Sequence, residues 1–496
     1  MTSARRGAEF DVVVIGFGAA GAAAAIVAHD AGARVAVIER GDVGGGHTRE
    51  SGGSLRKIDD AVAATAYFET LAGAGELLPL YRSFAEEANG CLAWLAGLGA
   101  QLVEVHGEWI AGYPRALRRL YPGAPLPAGI GPRVRVAPAS GQTAAEALWT
   151  VLESAVRSRD ITVRYRTPAR QLLVDPDSGR VDGVRVANRA GRTSVLRARH
   201  GVVLACGGWA GDPGLLQDYI GTTLPMLSSV SSNVGDGIRM GESVGAAFRH
   251  MSALAVVLGY RLEDGQHALQ HVMRAPGFVY VDRTGERFVD ETGIDFHLLP
   301  LAFMQFDHAR ATYPHLPAYV VFDDVTRRAG PIVNLALRAT QRCGWSEDNS
   351  SEVRSGLISS APTVPGLAAA LGLPARRLAE TVEAYNAAVR SGNDPFGRSA
   401  EHMAPIGTPP YYGIRLEPAL VNTQGGPVRD EHGRVLRPAG EPVPGLFSAG
   451  ELGSMWATLY PGAGNLTEAL ITGRIAGRSA TAGVPVAAAD ATKGAP

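Results

Sequence analysis

Six residues near the N-terminus restrict the fold more than any other stretch: Gly16-Phe-Gly-Ala-Ala-Gly21, with glycine at the first, third and sixth positions. The run before it, Asp11–Gly16 (DVVVIG), is β-branched and reads as a buried parallel strand. Ala19–Ala31 supplies a small-residue helix and Arg34–Glu39 (RVAVIE) a second strand, giving a β-α-β unit. In that setting Gly16 permits the tight turn, Gly18 lets backbone approach a pyrophosphate, and Gly21 lets helix and strand pack closely. The helix start at Ala19 and Ala20 offers free N–H groups and partial positive charge to the phosphates. Glu39, followed by Arg40, stands where an acid accepts from ribose hydroxyls and repels a 2′-phosphate. A dinucleotide other than NADP is expected.

Spacing carries this reading, because glycine is common throughout: 62 of 496 residues, in a chain whose only lysines are Lys57 and Lys493. Abundant alanine and arginine with so little lysine marks a compositional bias. Lys+Arg number 47 and Asp+Glu 48, which gives no bulk attraction to nucleic acid or an anionic membrane. Cys91, Cys206 and Cys343 are too far apart for a CxxC metal site, and no metal is expected. No apolar run reaches the length of a membrane-spanning helix. Arg5-Arg6 resembles an export signal, but acidic Asp11 and the glycine motif that follow do not, so a cytoplasmic protein is expected.

Further along, Gly112–Pro138 is rich in Pro and Gly and reads as a surface excursion, and Thr143–Ser158 has helical spacing. Ile161–Val174 and Val181–Val186 read as a hairpin, and Gly201–Leu204 as another buried strand. From about Met251 the strand-glycine-helix punctuation is lost. The landmarks there are a turn-flanked pair, Phe278–Val281 with Glu286–Val289, and a helix near Leu367–Ser391. Punctuation returns after Pro418, with a strand at Gly445–Ala449 and a helix at Gly464–Ala480. The expected architecture is α/β: a doubly wound Rossmann-type domain from 1–252 and 421–496, interrupted by an α+β capping domain at 253–420.

Two more glycine clusters extend the pattern, Gly44-Gly-Gly-His-Thr-Arg-Glu-Ser-Gly-Gly53 and Gly445-Leu-Phe-Ser-Ala-Gly-Glu451. On these segments the chain resembles the FAD-dependent fumarate reductase/succinate dehydrogenase flavoprotein superfamily, which includes the 3-ketosteroid dehydrogenases. The resemblance covers most of residues 10–60, 200–245, 278–292 and 418–478. It implies FAD, with Gly45, Gly46, His47, Thr48, Ser51, Gly52 and Gly53 along the flavin and pyrophosphate. Ala205, Gly207 and Gly208 follow the strand ending at Leu204, and Asn233, Gly235 and Asp236 border the cofactor. Gly450 and Glu451 meet the ribitol. The amides of Gly464, Asn465 and Leu466 face the flavin N1/C2 carbonyl at a helix N-terminus, where the negative charge of reduced flavin is stabilised. Succinate dehydrogenases link FAD covalently to a histidine in a similar stretch. His47 stands five residues before Gly52, one fewer than that linkage implies, so non-covalent FAD is expected.

The substrate positions depart from the fumarate reductase pattern. Its R-F-x-N-E-x-x-x-R stretch is here Arg287-Phe-Val-Asp-Glu291-Thr-Gly-Ile-Asp295, without the final arginine. Its His-Thr-x-Gly-Gly is Asn422-Thr-Gln-Gly-Gly426, and its clamp arginine aligns with Tyr460. Three cationic positions are lost, which argues against a dicarboxylate. Tyr460-Pro-Gly-Ala-Gly464 instead resembles the Tyr-x-Gly-x-Gly of ketosteroid dehydrogenases, in which the tyrosine hydroxyl and the second glycine's amide hold the substrate ketone. Two neutral donors on one oxygen stabilise an enolate, so a base removes the α-proton while hydride leaves the β-carbon for the flavin. Ketosteroid 1-dehydrogenases use a tyrosine base at a position matching Asp295; Asp295 or His297 is the expected substitute, with Tyr113 and Tyr260 as further candidates.

Arg274, Arg283 and Arg287 are expected as surface charges and Cys206 as core. The resulting expectation is α,β-dehydrogenation of a cyclic, steroid-like or polyketide-like ketone, or reduction of the matching enone. The alternatives are an enoate reductase of the fumarate reductase type and a flavoprotein that uses FAD structurally or without redox chemistry. The sequence has no haem-attachment CxxCH and no iron–sulfur spacing, so an external electron acceptor or donor is expected.

Overall fold

The computed structural model describes residues 8–72, 77–105, 129–227, 233–457, 459 and 461–482. Its largest sheet has eight strands. Along it run Arg434–Leu436, Pro442–Ser448, Thr193–Leu204, Ala8–Ile15, Val35–Ile38 and Thr162–Arg164. All neighbours on this path are parallel except the antiparallel edge strand Arg434–Leu436. The N-terminal motif strand is central because both its faces are apolar. Val12 and Val14 point into one core with the helices, while Val13 and Ile15 point into a second core on the opposite face.

The helix Ala19–Asp30 has alanine on every side because it is buried on every side. It runs alongside the last helix, Gly464–Thr481, with their backbones in contact: a Cβ at Gly473 would collide with the Ala20 carbonyl, and one at Gly477 with the Ala24 carbonyl. Helix Ala144–Arg157 joins the same layer, and its start is fixed by a capping box in which Thr143 Oγ1 accepts from Glu146 N and the Glu146 carboxylate accepts from Thr143 N.

The second large sheet is antiparallel and six-stranded, and its strands all lie between Leu254 and Thr423. We propose this segment as the capping domain. Its long strand Tyr411–Thr423 runs through position 420. The α/β architecture with a parallel sheet is as expected, but several elements differ. The hairpin is Ala169–Val174 with Val181–Ala187, and Thr162–Arg164 leaves it to extend the parallel sheet. Phe278–Asp282 has its ladder partner in Ala318–Asp323, and meets Glu286–Val289 through an isolated antiparallel bridge between Val281 and Arg287. The helix expected at Leu367–Ser391 is two, Val364–Leu371 and Ala375–Ser391, separated at Gly372 and Pro374. The Pro/Gly-rich excursion contains a strand, Ile130–Val136, in a three-stranded sheet with Ser54–Ile58 and Leu102–Val105.

Candidate active site

The carboxyl ends of four parallel strands open onto one cleft, the usual position of a ligand in a doubly wound sheet. Its floor includes Ile15, Gly16, Ile38, Glu39, Ala205, Gly207, Gly450 and Glu451. Gly45, Gly46, Thr48, Ser51, Gly52 and Gly53 form one wall, and Ala463, Asn465 and Leu466 another. Leu227, Val257, Gln270, Phe296, His297, Asn334, Leu337, Val421 and Asn422 close the far side.

The three motif glycines differ in what demands them. Gly16 has φ +103°, and a Cβ there would strike the Ala205 carbonyl. A Cβ on Gly21 would strike the Gly16 carbonyl, so this residue packs the helix on the strand and does not line the cleft. Gly18 has ordinary extended backbone, and a Cβ there would sit 3.5 Å from Thr48 Oγ1 in normal contact. Protein packing does not require glycine at 18; the open cleft in front of it does. Gly46 likewise has nothing within 4 Å of a built Cβ. The amides of Ala20 and Gly21 have no helical acceptor, while Ala19 N donates to Thr48 Oγ1 at 3.0 Å. Glu39 braces the turn, its carboxylate accepting from Phe17 N at 2.9 Å and Gly41 N at 2.6 Å. A side-chain-free cradle with unpaired amides fits a dinucleotide pyrophosphate.

Four segments far apart in sequence meet around Glu451. Its Oε1 accepts from the amide and hydroxyl of Thr423, each at 3.2 Å, and its Oε2 from Asn233 Nδ2 at 3.2 Å. His47 Nδ1 lies 3.3 Å from the same Oε2 and 3.1 Å from Asn233 Nδ2. Gly208 is held behind this cluster by Thr423 and Glu451, off the cleft wall. Arg40 pairs with Asp236, which opens the helix Asp236–Ser243 after the left-handed residue Gly235. Gly235 lies off the wall too. Cys206 lines the cleft, but burial pushes its thiol up to about 12.

The last helix reaches the opposite end of the cleft. Because Gly473 packs on Ala20, its first residue lies nine positions, or about 13 Å, ahead of the pyrophosphate turn. Two helix N-termini thus face one elongated cleft. The expected roles change here: Gly464 N donates to the Pro461 carbonyl at 2.7 Å and is not available to a substrate ketone. The cleft receives Ala463, which takes a left-handed conformation (φ +71°), Asn465 and Leu466. A buried pair fixes this end. Arg429 contacts Glu468, and it donates to the carbonyls of Gly450 and Leu452, while Glu468 also accepts from Ser454 Oγ and Met455 N.

On the capping side, Asp295 is buried but does not line the cleft. It accepts from His297 N at 2.8 Å within a turn, and burial raises its pKa to about 6. His297 does line the cleft, with Nδ1 3.1 Å from the Val256 carbonyl, and burial lowers its pKa to about 4. Tyr260 is buried in the cap, its hydroxyl bonded to His271, and is not on the cleft wall. Tyr113 and Tyr460 lie outside the described residues. Asn422, at the position of the missing histidine, accepts from Asn465 Nδ2 at 3.2 Å.

Arg287 is not the surface charge its sequence setting suggests. It grips Glu291 through two 2.7 Å bonds and pairs with Asp394, while fully buried Arg398 also reaches Glu291. Glu291 is therefore committed to the cap's own structure. A second ion-pair group joins cap to floor: Arg338 bonds Glu50 at 2.9 Å and Glu146 at 2.7 Å.

Parallel sheet, motif turn and facing helix start define a dinucleotide-binding flavoprotein with a second, antiparallel sheet. The chain belongs to the family described as FAD binding domain, which matches residues 11–466, and FAD is its cofactor. It is 28% identical to a 3-oxosteroid 1-dehydrogenase of Mycobacterium tuberculosis, over 92% of this chain and 95% of that protein. It is 26% identical to an NADH:acrylate oxidoreductase of Vibrio harveyi, over 95% of this chain but only half of that longer relative. A solved 3-ketosteroid Δ1-dehydrogenase from Sterolibacterium denitrificans shares the fold, with a TM-score of 0.80 at 22% identity over 96% of this chain and 99% of that one. No helix among the described residues is long and apolar enough to cross a membrane.

Proposed function

We propose that this FAD-dependent oxidoreductase desaturates a ketone between its α and β carbons, or reduces the corresponding enone. The supporting observation is the chemistry of the far wall. Gln270, Asn334 and Asn422 are neutral amides set among Leu227, Val257, Phe296 and Val421, and Glu291 of the matched fumarate reductase stretch is locked by two arginines. Such a wall suits an apolar ring carrying a carbonyl. FAD, when bound, accepts hydride in desaturation and donates it in the reverse direction. Tyr460, by its resemblance to the ketosteroid dehydrogenase motif, donates to the ketone oxygen and stabilises the enolate. The first-turn amides of Asn465 and Leu466 keep this end of the cleft positive. His297 holds a proton on Nδ1 toward the Val256 carbonyl, which leaves Nε2 as the basic nitrogen of a neutral ring that receives the α-proton. The electron acceptor or donor is a separate molecule.

Anaerobic mixing with a panel of cyclic ketones tests the reading: flavin absorbance bleaches with a substrate and stays constant if the flavin has no redox role. Rapid reoxidation of chemically reduced protein by fumarate, with ketones and enones inert, would assign an enoate reductase instead. Tyr460→Phe is expected to lower kcat about 100-fold, the scale of losing one oxyanion donor. A drop below about tenfold would remove Tyr460 from that role.

The base also has a pH signature. His297 must be unprotonated to accept a proton, so kcat/KM is expected to fall as pH drops through about 4. A limb near 6 would instead point to Asp295, whose raised value lies there.

A further inference from the structure

Among the described residues, one charge facing the cleft has no ionic partner. Of the acids on its wall, Glu39 is bonded to backbone amides, Glu50 to Arg338, Asp236 to Arg40 and Glu451 to Thr423 and Asn233. Arg135, from the strand Ile130–Val136, differs. Its Nε donates to Ser54 Oγ at 2.8 Å, and among the described residues no carboxylate pairs with either terminal nitrogen. Arg56 and Arg133 face each other in the same sheet and keep this wall positive; burial and the two neighbouring guanidiniums bring Arg133 down to about 9. A half-buried, unpaired guanidinium among like charges is costly unless a ligand supplies an anion.

Its position is tied to the last helix and not to the Gly16–Gly21 turn. Arg56, two residues from Ser54, bonds Thr467 Oγ1 through its amide and the Gly462 carbonyl through its side chain. The Ser54–Arg135 pair therefore lies near the first turn of the last helix, where Thr467 is staggered about 9 Å along the axis from the residue packed on Ala20. The planar fork of an arginine whose Nε is already held presents two parallel N–H groups, the geometry that receives a carboxylate.

We propose that Arg135 binds a carboxylate on the substrate, so the substrate is a cyclic ketone carrying one acidic group. The ketone half rests on the function proposed above; the carboxylate half does not. One arginine in place of the three lost cationic positions fits a keto acid and does not fit a dicarboxylate.

The test uses FAD-loaded protein and two readouts. Cyclohexanecarboxylate, which has no ketone to oxidise, is titrated while the oxidised flavin spectrum is followed. Expected are a saturable perturbation with wild type and weakening of about 10- to 100-fold in Arg135→Gln, partly restored in Arg135→Lys. Flavin bleaching is then compared for 4-oxocyclohexanecarboxylate and its methyl ester. The acid is expected to have the higher kcat/KM, and the acid-to-ester ratio is expected to fall at least about tenfold in Arg135→Gln. Equal rates for acid and ester in wild type, or a ratio unmoved by the substitution, would overturn the proposal. So would a changed flavin midpoint potential with the carboxylate titration unaltered, which would make Arg135 a flavin partner. Carboxylate binding that depends on Arg135, with every ketone inert, would sustain this inference and defeat the ketone reading. Retained FAD content and the Lys variant separate these results from misfolding.

Discussion

Gly18→Ala is expected to give a folded protein that has lost its FAD, whereas Gly21→Ala is expected not to fold stably at all. The two residues share one motif, yet the atoms around them differ. Gly18 has φ −98° and room for a methyl group, with nothing nearer than 3.5 Å, so alanine fits the apoprotein. By restricting the unfolded chain, that substitution adds about 0.4–1 kcal/mol of stability. The methyl group enters the cradle in front of the helix start, where it displaces the phosphate from the amides. Losing such charge-assisted bonds costs about 2–3 kcal/mol, or roughly 30- to 100-fold in FAD affinity. At position 21 the methyl group meets the carbonyl of Gly16, a backbone atom in a turn between two buried elements. Neither side can give way without separating helix from strand, at a cost of about 3 kcal/mol or more. Thermal unfolding of the apoproteins and flavin fluorescence titration check both halves. A Gly18→Ala protein that binds FAD as tightly as wild type would show that the cradle is not where the phosphates lie.

How much of this was legible in the chain depended on how local the physics was. The β-α-β unit could be read because a strand buried on both faces needs an unbroken apolar run, and Asp11–Gly16 has one. Glu39 could be placed because strand and helix lengths fix the offset from the glycines. The Gly473–Gly477 spacing went unread within a glycine-rich composition, although it brings two helices into backbone contact. The Glu451 cluster was out of reach in its details: its partners at 47, 233 and 423 are joined only by folding. Arg287 looked like a surface residue because its partner Asp394 lies 107 positions away. Gly464 carried a plausible motif role, but whether an amide is free depends on the turn before it, and that turn delivers the Pro461 carbonyl. Arg135 was hidden in a segment whose composition suggested a loop.

The same long-range logic makes Glu468 a consequential acid buried behind the wall of the cleft. Its side chain and that of Arg429 are each 1% exposed, and together they anchor the Gly450–Met455 loop to the last helix. Burial raises the carboxyl pKa of Glu468 and lowers the guanidinium pKa of Arg429, so each charge is tolerated only because the other is present. Glu468→Gln leaves a buried arginine with an amide in place of an anion, and is expected to cost about 3–5 kcal/mol. The same change frees the Glu451 loop and the start of the last helix, so FAD content should fall together with stability. Replacing both partners, Arg429→Met with Glu468→Leu, removes the buried charges altogether. The double variant should recover most of the loss in urea midpoint, because a well-packed apolar pair commonly equals a buried ion pair. It should not recover FAD binding equally, since the carbonyls of Gly450 and Leu452 lose the donor that holds the loop. If the single variant unfolds at the wild-type midpoint, the pair does not hold this end of the cleft together.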